Sequence, residues 1–204
     1  MRLSTLRVTV APTTNDLTIL ATAQRELATA VTSGMAELIT TASELCAQFC
    51  GRMNDRKESE FGAQTVEQTE RDVDGDCILL LRDIKPAITS VVEDGVTLDA
   101  DDYQLDGARL LRFSDDVQQD WCATKVVITY TTGFILLGGM PQPIEQACLD
   151  VLRSLFYGRG KEAGVRSESV DGVMSISYRD PQPGGGGLPP GVAEALAPWR
   201  RWSP

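Results

Sequence analysis

The sequence predicts an α+β fold: a helical bundle with an inserted small antiparallel β subdomain and a flexible C-terminal arm. Three observations lead there. Met35, Leu38, Ile39, Ala42, Leu45, Cys46, Phe49 and Met53 recur at steps of three and four, which puts them on one face of a helix. A second such stripe, Ile144, Ala147, Cys148, Val151, Leu152, Leu155 and Phe156, comes after Pro141 and Pro143, and proline is well placed in a first helical turn. Between the two stripes, Cys77 to Tyr130 holds short apolar runs separated by turn residues, a strand pattern.

Taken in order, Leu6–Val10 is β-like and stops at Pro12. Thr13 to Asp16 can cap a helix, since short polar side chains satisfy the free N–H groups of a first turn. Leu17, Leu20, Ala23, Leu27 and Ala30 then recur at helical spacing. Thr32 or Ser33 opens the 35–53 helix, and Arg56–Glu60 reads as a charged connector. Phe61–Arg71 is ambiguous, because within Thr65–Arg71 only Val66 is β-branched and apolar. Asp72–Asp76 reads as a turn into Ile78–Leu81, a run too short for a helix of its own. Pro86 breaks that run, and Ile88–Val92 resumes it as far as Asp94-Gly95. Asp106-Gly107, between Tyr103–Leu105 and Leu110–Phe113, is a hairpin signal, because both residues tolerate positive φ. Val126–Tyr130 is β-branched and aromatic and reads as a closing strand.

Gly158 suits the left-handed end of the 144–156 helix. Asp171-Gly172 marks a second hairpin between Val165–Ser169 and Val173–Tyr178. Pro181–Gly187 reads as a hinge, and Leu188–Pro190 opens a short helix carrying Val192, Ala195, Leu196 and Trp199, which Pro198 truncates or kinks. The expected organisation is a helical part over 1–60 and a β-rich insertion over 61–137. A helix and hairpin packed on the first helices would occupy 138–180, then the hinge and arm 181–204.

Composition narrows the function. The 204 residues are 42% hydrophobic, enough for a core, without a run of about 18 apolar residues to span a membrane. Met1–Thr9 lacks the apolar stretch and cleavage site of a secretory signal. Five cysteines without CxxC spacing predict buried free thiols, with Cys46 and Cys148 on facing helices. A net charge of −10 argues against a freestanding nucleic-acid binder. Nine acidic residues lie between Val91 and Asp120 against Arg109 and Arg112 alone. From Val151 onward, basic residues slightly outnumber acidic ones.

With no histidine, Ser-His-Asp, Cys-His and zinc-histidine chemistry is excluded. Neither a phosphate-binding loop nor a dinucleotide fingerprint is present. The chain is therefore expected not to be an enzyme, with no catalytic residues, no metal ligands and no cofactor. One pattern keeps an alternative open. Asp72, Asp74 and Asp76 occupy the first, third and fifth positions of a calcium loop, which would make a small calcium-dependent binding module. Against it, Cys77 stands where that loop needs glycine and Asp83 where it needs glutamate. Near the C-terminus, Trp199 and Trp202 bracket Arg200-Arg201, and tryptophan and arginine are enriched at binding hot spots. This tail either folds back on its own core or docks on a partner.

Several of these features fall in a recognisable order: Ile78–Leu81, Pro86, Val91-Val92, Asp102-Tyr103, Trp121, Val126–Tyr130 with Gly133, Pro141–Pro143, Arg166–Ser169 with Ser177-Tyr178, and Trp199–Trp202. From about residue 32 onward this order resembles the head–tail connector (adaptor, or head-completion) proteins of tailed bacteriophages and gene-transfer particles. The resemblance implies a structural virion protein in the neck between capsid and tail, assembled in the host cytoplasm. It implies a ring under the portal protein, dodecameric like the portal, that meets a tail-side neck or tail-completion protein and lets double-stranded DNA pass without specific binding. It adds an edge strand over Phe61–Arg71 and a portal-binding arm comprising Leu188, Val192, Leu196, Trp199, Arg200, Arg201 and Trp202. In such a ring Asp94, Asp99, Asp101, Asp102, Asp115 and Asp116 could line the DNA channel; the plainer reading is a set of solvated turns. If the arm reaches a partner, removing residues 188–204 should leave a folded monomer; if it belongs to the core, the protein should unfold. Another neck component with the same assembly logic is a further alternative.

Overall fold

A computed structural model describes residues 3–30, 33–53, 59–135, 139–158, 167–170, 174–177 and 188–201. It divides into two compact units, one formed by residues 1–14 and 60–135, the other by 15–59 and 136–204.

The first unit is built of β1 (Leu3–Val10), β2 (Gln64–Gly75), β3 (Ile78–Leu79), β4 (Ala87–Glu93), β5 (Val96–Thr97), β6 (Tyr103–Asp106), β7 (Arg109–Ser114), β8 (Val117–Gln119) and β9 (Trp121–Thr132). One sheet has the order β1-β2-β9-β4-β5, with every neighbouring pair antiparallel. In the other, β6 pairs with β7 on one side, and β3 and β8 both pair with β7. Val66, Val73, Val91, Trp121, Ala123, Val126, Ile128 and Tyr130 of the first sheet close on Ile78 and Leu110 of the second, with Leu80, in one core.

The second unit carries α1 (Leu20–Glu26), α2 (Met35–Phe49), α3 (Gln142–Gly158), α4 (Val192–Leu196) and the hairpin β10 (Ser167–Val170) with β11 (Met174–Ser177). The expected stripes of α2 and α3 are buried through Met35, Leu38, Ile39, Ala42 and Cys46, and through Ile144, Ala147, Cys148, Val151 and Leu152. Ser43 sits between them: it donates to the Ile39 carbonyl (2.8 Å), accepts from Leu17 N–H (2.9 Å) and lies 3.5 Å from Cys148 Sγ. Gly158 is the last helical residue and lacks the left-handed backbone expected of it.

The expected helical bundle with a small inserted sheet is overturned. Among the described residues, nine strands in two antiparallel sheets dominate, and the four helices are short, from 5 to 17 residues. The reason lies in β2. The ambiguous stretch, implied to be an edge strand, is a 12-residue strand lying between β1 and β9. Its inward positions run Gln64, Val66, Gln68 and Glu70, all buried. Period-2 alternation is therefore present but written in polar residues, which a hydrophobic pattern does not register.

Hydrogen bonds satisfy that polar row, as burial demands. Gln68, fully buried, donates to the Leu79 carbonyl and to Glu70 Oε1, each at 2.7 Å, and accepts from Leu81 N–H (2.9 Å) and the Tyr130 hydroxyl (3.0 Å). Tyr130 Oη in turn accepts from Arg82 N–H (3.1 Å), Ser4 Oγ donates to Glu70, and Arg82 pairs with the buried Glu60. These bonds carry the chain from β3 toward β4 without a ladder, which is why Ile78–Leu81 forms only a two-residue strand.

Candidate functional site: the C-terminal segment and the acidic turns

The C-terminal segment lies on the helical unit. Leu188, Val192 and Leu196 are buried at 5%, 2% and 0% exposure. Gly191, at φ +84°, gives the left-handed turn that starts α4. The end of α2 grips the residues beyond α4. Arg52 Nε donates to the Trp199 carbonyl (2.5 Å), Arg201 N–H donates to the Cys50 carbonyl (2.8 Å), and the Arg200 guanidinium stands 5.2 Å from the Phe49 ring centre. Cationic side chains suit this place, since free carbonyls make a helix C-terminus partly negative. Of the expected arm, then, Leu188, Val192 and Leu196 fill the core of their own unit. Trp199 and Arg201 are half-buried and Arg200 is exposed. Trp202 and the expected hinge, Pro181–Gly187, lie outside the described residues.

The same region holds the buried thiols. The side-chain hydrogen bond with Cys148, together with burial, pushes the Cys46 thiol pKa far up. Burial raises Cys50 to about 11, against the opposing charges of Arg52 and Arg200. All five cysteines are free; Cys122 is exposed and Cys77 half-buried. Under native conditions an alkylating agent should modify Cys122 first and Cys77 more slowly, with Cys46, Cys50 and Cys148 reacting only in denaturant. Mass spectrometry over time would read this, and rapid native labelling of Cys46 would contradict the packing. Because the folded-state Cys50 pKa is raised from 9.0 to about 11, its neutral form stabilises the fold below about pH 9, and that contribution fades as pH rises toward 11.

The six acidic candidates fall at three turns of the β unit. Asp94 (φ +47°) and Gly95 (φ +89°) are the two connecting residues between Glu93 and Val96, the pattern of a type I′ hairpin. The Asp94 carboxylate accepts from Lys125 N–H (2.8 Å) and Thr124 N–H (3.3 Å), holding β9 where β4 has turned away. Asp99 and Asp102 form a capping box around the 3-10 turn Ala100–Asp102. Arg112 binds that turn through the Asp102 carbonyl (2.9 Å) and also reaches Glu93 (3.2 Å). Asp115 and Asp116 (φ +50° and +63°) join β7 to β8 in a second type I′ arrangement, with Ser114 paired to Val117. Glycine is preferred at the second of these sites, so Asp116→Gly should stabilise the protein by about 0.5–1 kcal/mol. A urea midpoint that stays put or falls would count against the turn geometry. Asp94, Asp99 and Asp102 therefore have local structural work, while Asp101, Asp115 and Asp116 are exposed.

The calcium pattern is not a loop. Asp72 and Asp74 lie within β2, which stays paired with β9 as far as Gly75 opposite Trp121. Asp72 has φ +52°, and at this level the inward positions of both strands change parity, from Val66, Gln68 and Glu70 to Val73 on β2, and from Trp121 and Ala123 to Val126 and Ile128 on β9. Asp72 thus marks a coil in the sheet. Among the described residues no three His, Cys, Asp or Glu side chains gather as metal ligands, and no helix is long and apolar enough to cross a membrane.

Sequence reasoning missed the buried polar row and one glycine contact. Gly133 N–H donates to the Ile84 carbonyl (2.8 Å) and Phe134 N–H to that of Phe61 (2.7 Å), so the residues after β9 lie directly on Gly62. Gly133, at φ +91°, would place a Cβ 2.6 Å from the Gly62 carbonyl carbon. A Cβ on Gly62 would meet Pro12 Cβ at 2.8 Å. The spacing of Tyr130 and Gly133 was the signal in the sequence, and this close backbone approach is its cause.

The fold is similar to that of chains in gene transfer agent particles. One is from the neck of an empty particle computed with C6 symmetry: 18% identity, 98% of this chain and 96% of that one, TM-score 0.54. The other is from the virion of a native particle: 16% identity, 97% and 96% coverage, TM-score 0.53. No protein-family model matches the sequence. No curated protein matches it either.

Proposed function

We propose that the chain is a structural, non-catalytic neck component of a tailed phage or phage-like particle: a head–tail connector that forms a ring under the portal, joins the DNA-filled capsid to the tail and lets DNA pass. The observation that carries this reading is the likeness in fold to a gene transfer agent neck chain over nearly the whole of both chains, 98% and 96%. The order of motifs along the sequence supports the same reading independently. A ring needs a head-to-tail interface that closes on itself. That neck was computed under sixfold symmetry, with which a dodecamer is compatible.

In this reading the portal contact falls to the end of the C-terminal segment, to exposed Arg200 with half-buried Trp199 and Arg201 and, outside the described residues, Trp202, because Leu188, Val192 and Leu196 are occupied at home. The tail-side neck protein is the second partner. Asp101, Asp115 and Asp116 are the carboxylates left to face DNA, repelling it at short range in a narrow channel, where a Debye length of about 8 Å screens little. Replacing these three with Asn keeps residues that tolerate positive φ; it should slow DNA release from assembled particles several-fold and leave assembly intact. Unchanged release would return them to ordinary solvated turns. The reading as a whole is tested by co-expressing the chain with the portal protein encoded beside it and imaging the product. A ring on the portal is expected; a stable dimer with a large apolar interface and no portal complex would overturn it.

A further inference from the structure

Among the described residues the five-stranded sheet ends in β1 on one side and in β4 with the short β5 on the other. At one end, among the described residues, β1 pairs only with β2. It is eight residues long, is exposed at every position except the half-buried Leu6, and shows Leu3, Val8 and Val10 at 52%, 38% and 59%. Edge strands of this length are ordinarily blunted by lysine or proline, because a bare edge invites another strand. β1 has neither, only Arg7 and a register shift between Val8 and Val10. At the other end β5 pairs with Val92 and Glu93 of β4 and Leu98 N–H donates to the Val91 carbonyl (2.9 Å), which among the described residues leaves Ala87–Ser90 with ladder partners on β9 alone; Val96 of β5 is 66% exposed.

We infer that copies of this chain join through these edges, β1 of one copy adding to the β4–β5 edge of the next. This rests on the ring reading under Proposed function and supplies its subunit contact. Three observations select a second copy as the occupant. The edges belong to opposite ends of one sheet, as a head-to-tail contact requires. Directions alternate from β1 through β2 and β9 to β4, so a like-oriented neighbour brings its β1 antiparallel to β4 alongside Ala87–Ser90. The charges also lean the right way: β1 carries Arg7 alone, while residues 87–102 carry Glu93, Asp94, Asp99, Asp101 and Asp102, of which Arg112 of β7 pairs with Glu93 and Asp102. The register shifts at Thr9 and Thr89 bend both edges, and a closed belt has to curve.

The test uses the full chain assembled with the portal protein, in a Cys77→Ser, Cys122→Ser background that removes the accessible thiols. Thr5→Cys and Thr89→Cys are introduced separately and together, and a short bis-maleimide is added. With both cysteines a covalent ladder running past the dimer is expected, and with either alone none. A companion variant, Leu3→Lys with Val8→Lys, changes only exposed side chains; it should keep the monomer's melting temperature and lower the assembled fraction at least tenfold. A ring that forms without the ladder and tolerates both lysines overturns the edge contact and leaves the connector reading standing. Cross-linking through Thr5→Cys alone, stopping at dimers, overturns it in favour of a two-fold contact. Failure of the parent chain to form any ring overturns both.

Discussion

Replacing Gly133 with alanine should destabilise the β unit by about 3–5 kcal/mol. Two costs add. A φ of +91° is strained for any residue with a side chain, and the new Cβ would press on the backbone of Gly62. Neither side can yield, because Gly62 is itself held against Pro12, and the strand end is fixed by the bonds from Gly133 to Ile84 and from Phe134 to Phe61. Domains of this size are stable by about 5–15 kcal/mol, so the variant should lose much of its margin. A urea titration followed by tryptophan fluorescence reports on this unit through Trp121, which is fully buried and donates to the Leu110 carbonyl at 3.1 Å. A loss under about 1 kcal/mol would mean that the backbones of Gly62 and Gly133 do not touch as described.

Deleting residues 188–204 should unfold or loosen the helical unit rather than leave it intact. Leu188, Val192 and Leu196 are each at or below 5% exposure, and burying such a side chain contributes about 1.5–3 kcal/mol. The Cys50 carbonyl would also lose the Arg201 N–H, and the Arg52 guanidinium would lose the Trp199 carbonyl. Circular dichroism and dye binding to exposed apolar surface would track the change. The point variants Trp199→Ala and Arg200→Glu touch the outer side of the same segment and should stay folded, so they can probe a portal contact where the deletion cannot. If the truncated chain instead melts as sharply as the intact one, the segment is not part of that core, and a freely reaching arm regains its ground.

The sequence by itself determined the elements whose code is hydrophobic or conformational. The stripes of α2 and α3 were legible because apolar residues at steps of three and four must be buried together, and Cys46 and Cys148 were placed face to face by the same spacing. The hairpin signalled by Asp106-Gly107 was legible because few residues accept positive φ, and Gly107 has φ +61°, though its connecting pair is Gly107-Ala108, since Asp106 pairs with Arg109 in the ladder. Tertiary structure decided the rest. The length of β2 was hidden because Gln64, Gln68 and Glu70 point inward, and a polar residue becomes a core residue only when distant partners, here Tyr130 and the Leu79–Leu81 backbone, satisfy it. The Asp72–Asp76 pattern looked like ligands because a sequence gives carboxylates without their directions; pairing with β9 made it a strand. The roles of the acidic turns were undecided for the same reason, since Asp94 finds its partners some thirty residues later on β9. The tail's two readings differed only in whether Leu196 meets its own chain or another. Composition cannot choose between identical apolar contacts; the packing of Leu188, Val192 and Leu196 in their own unit places those anchors at home.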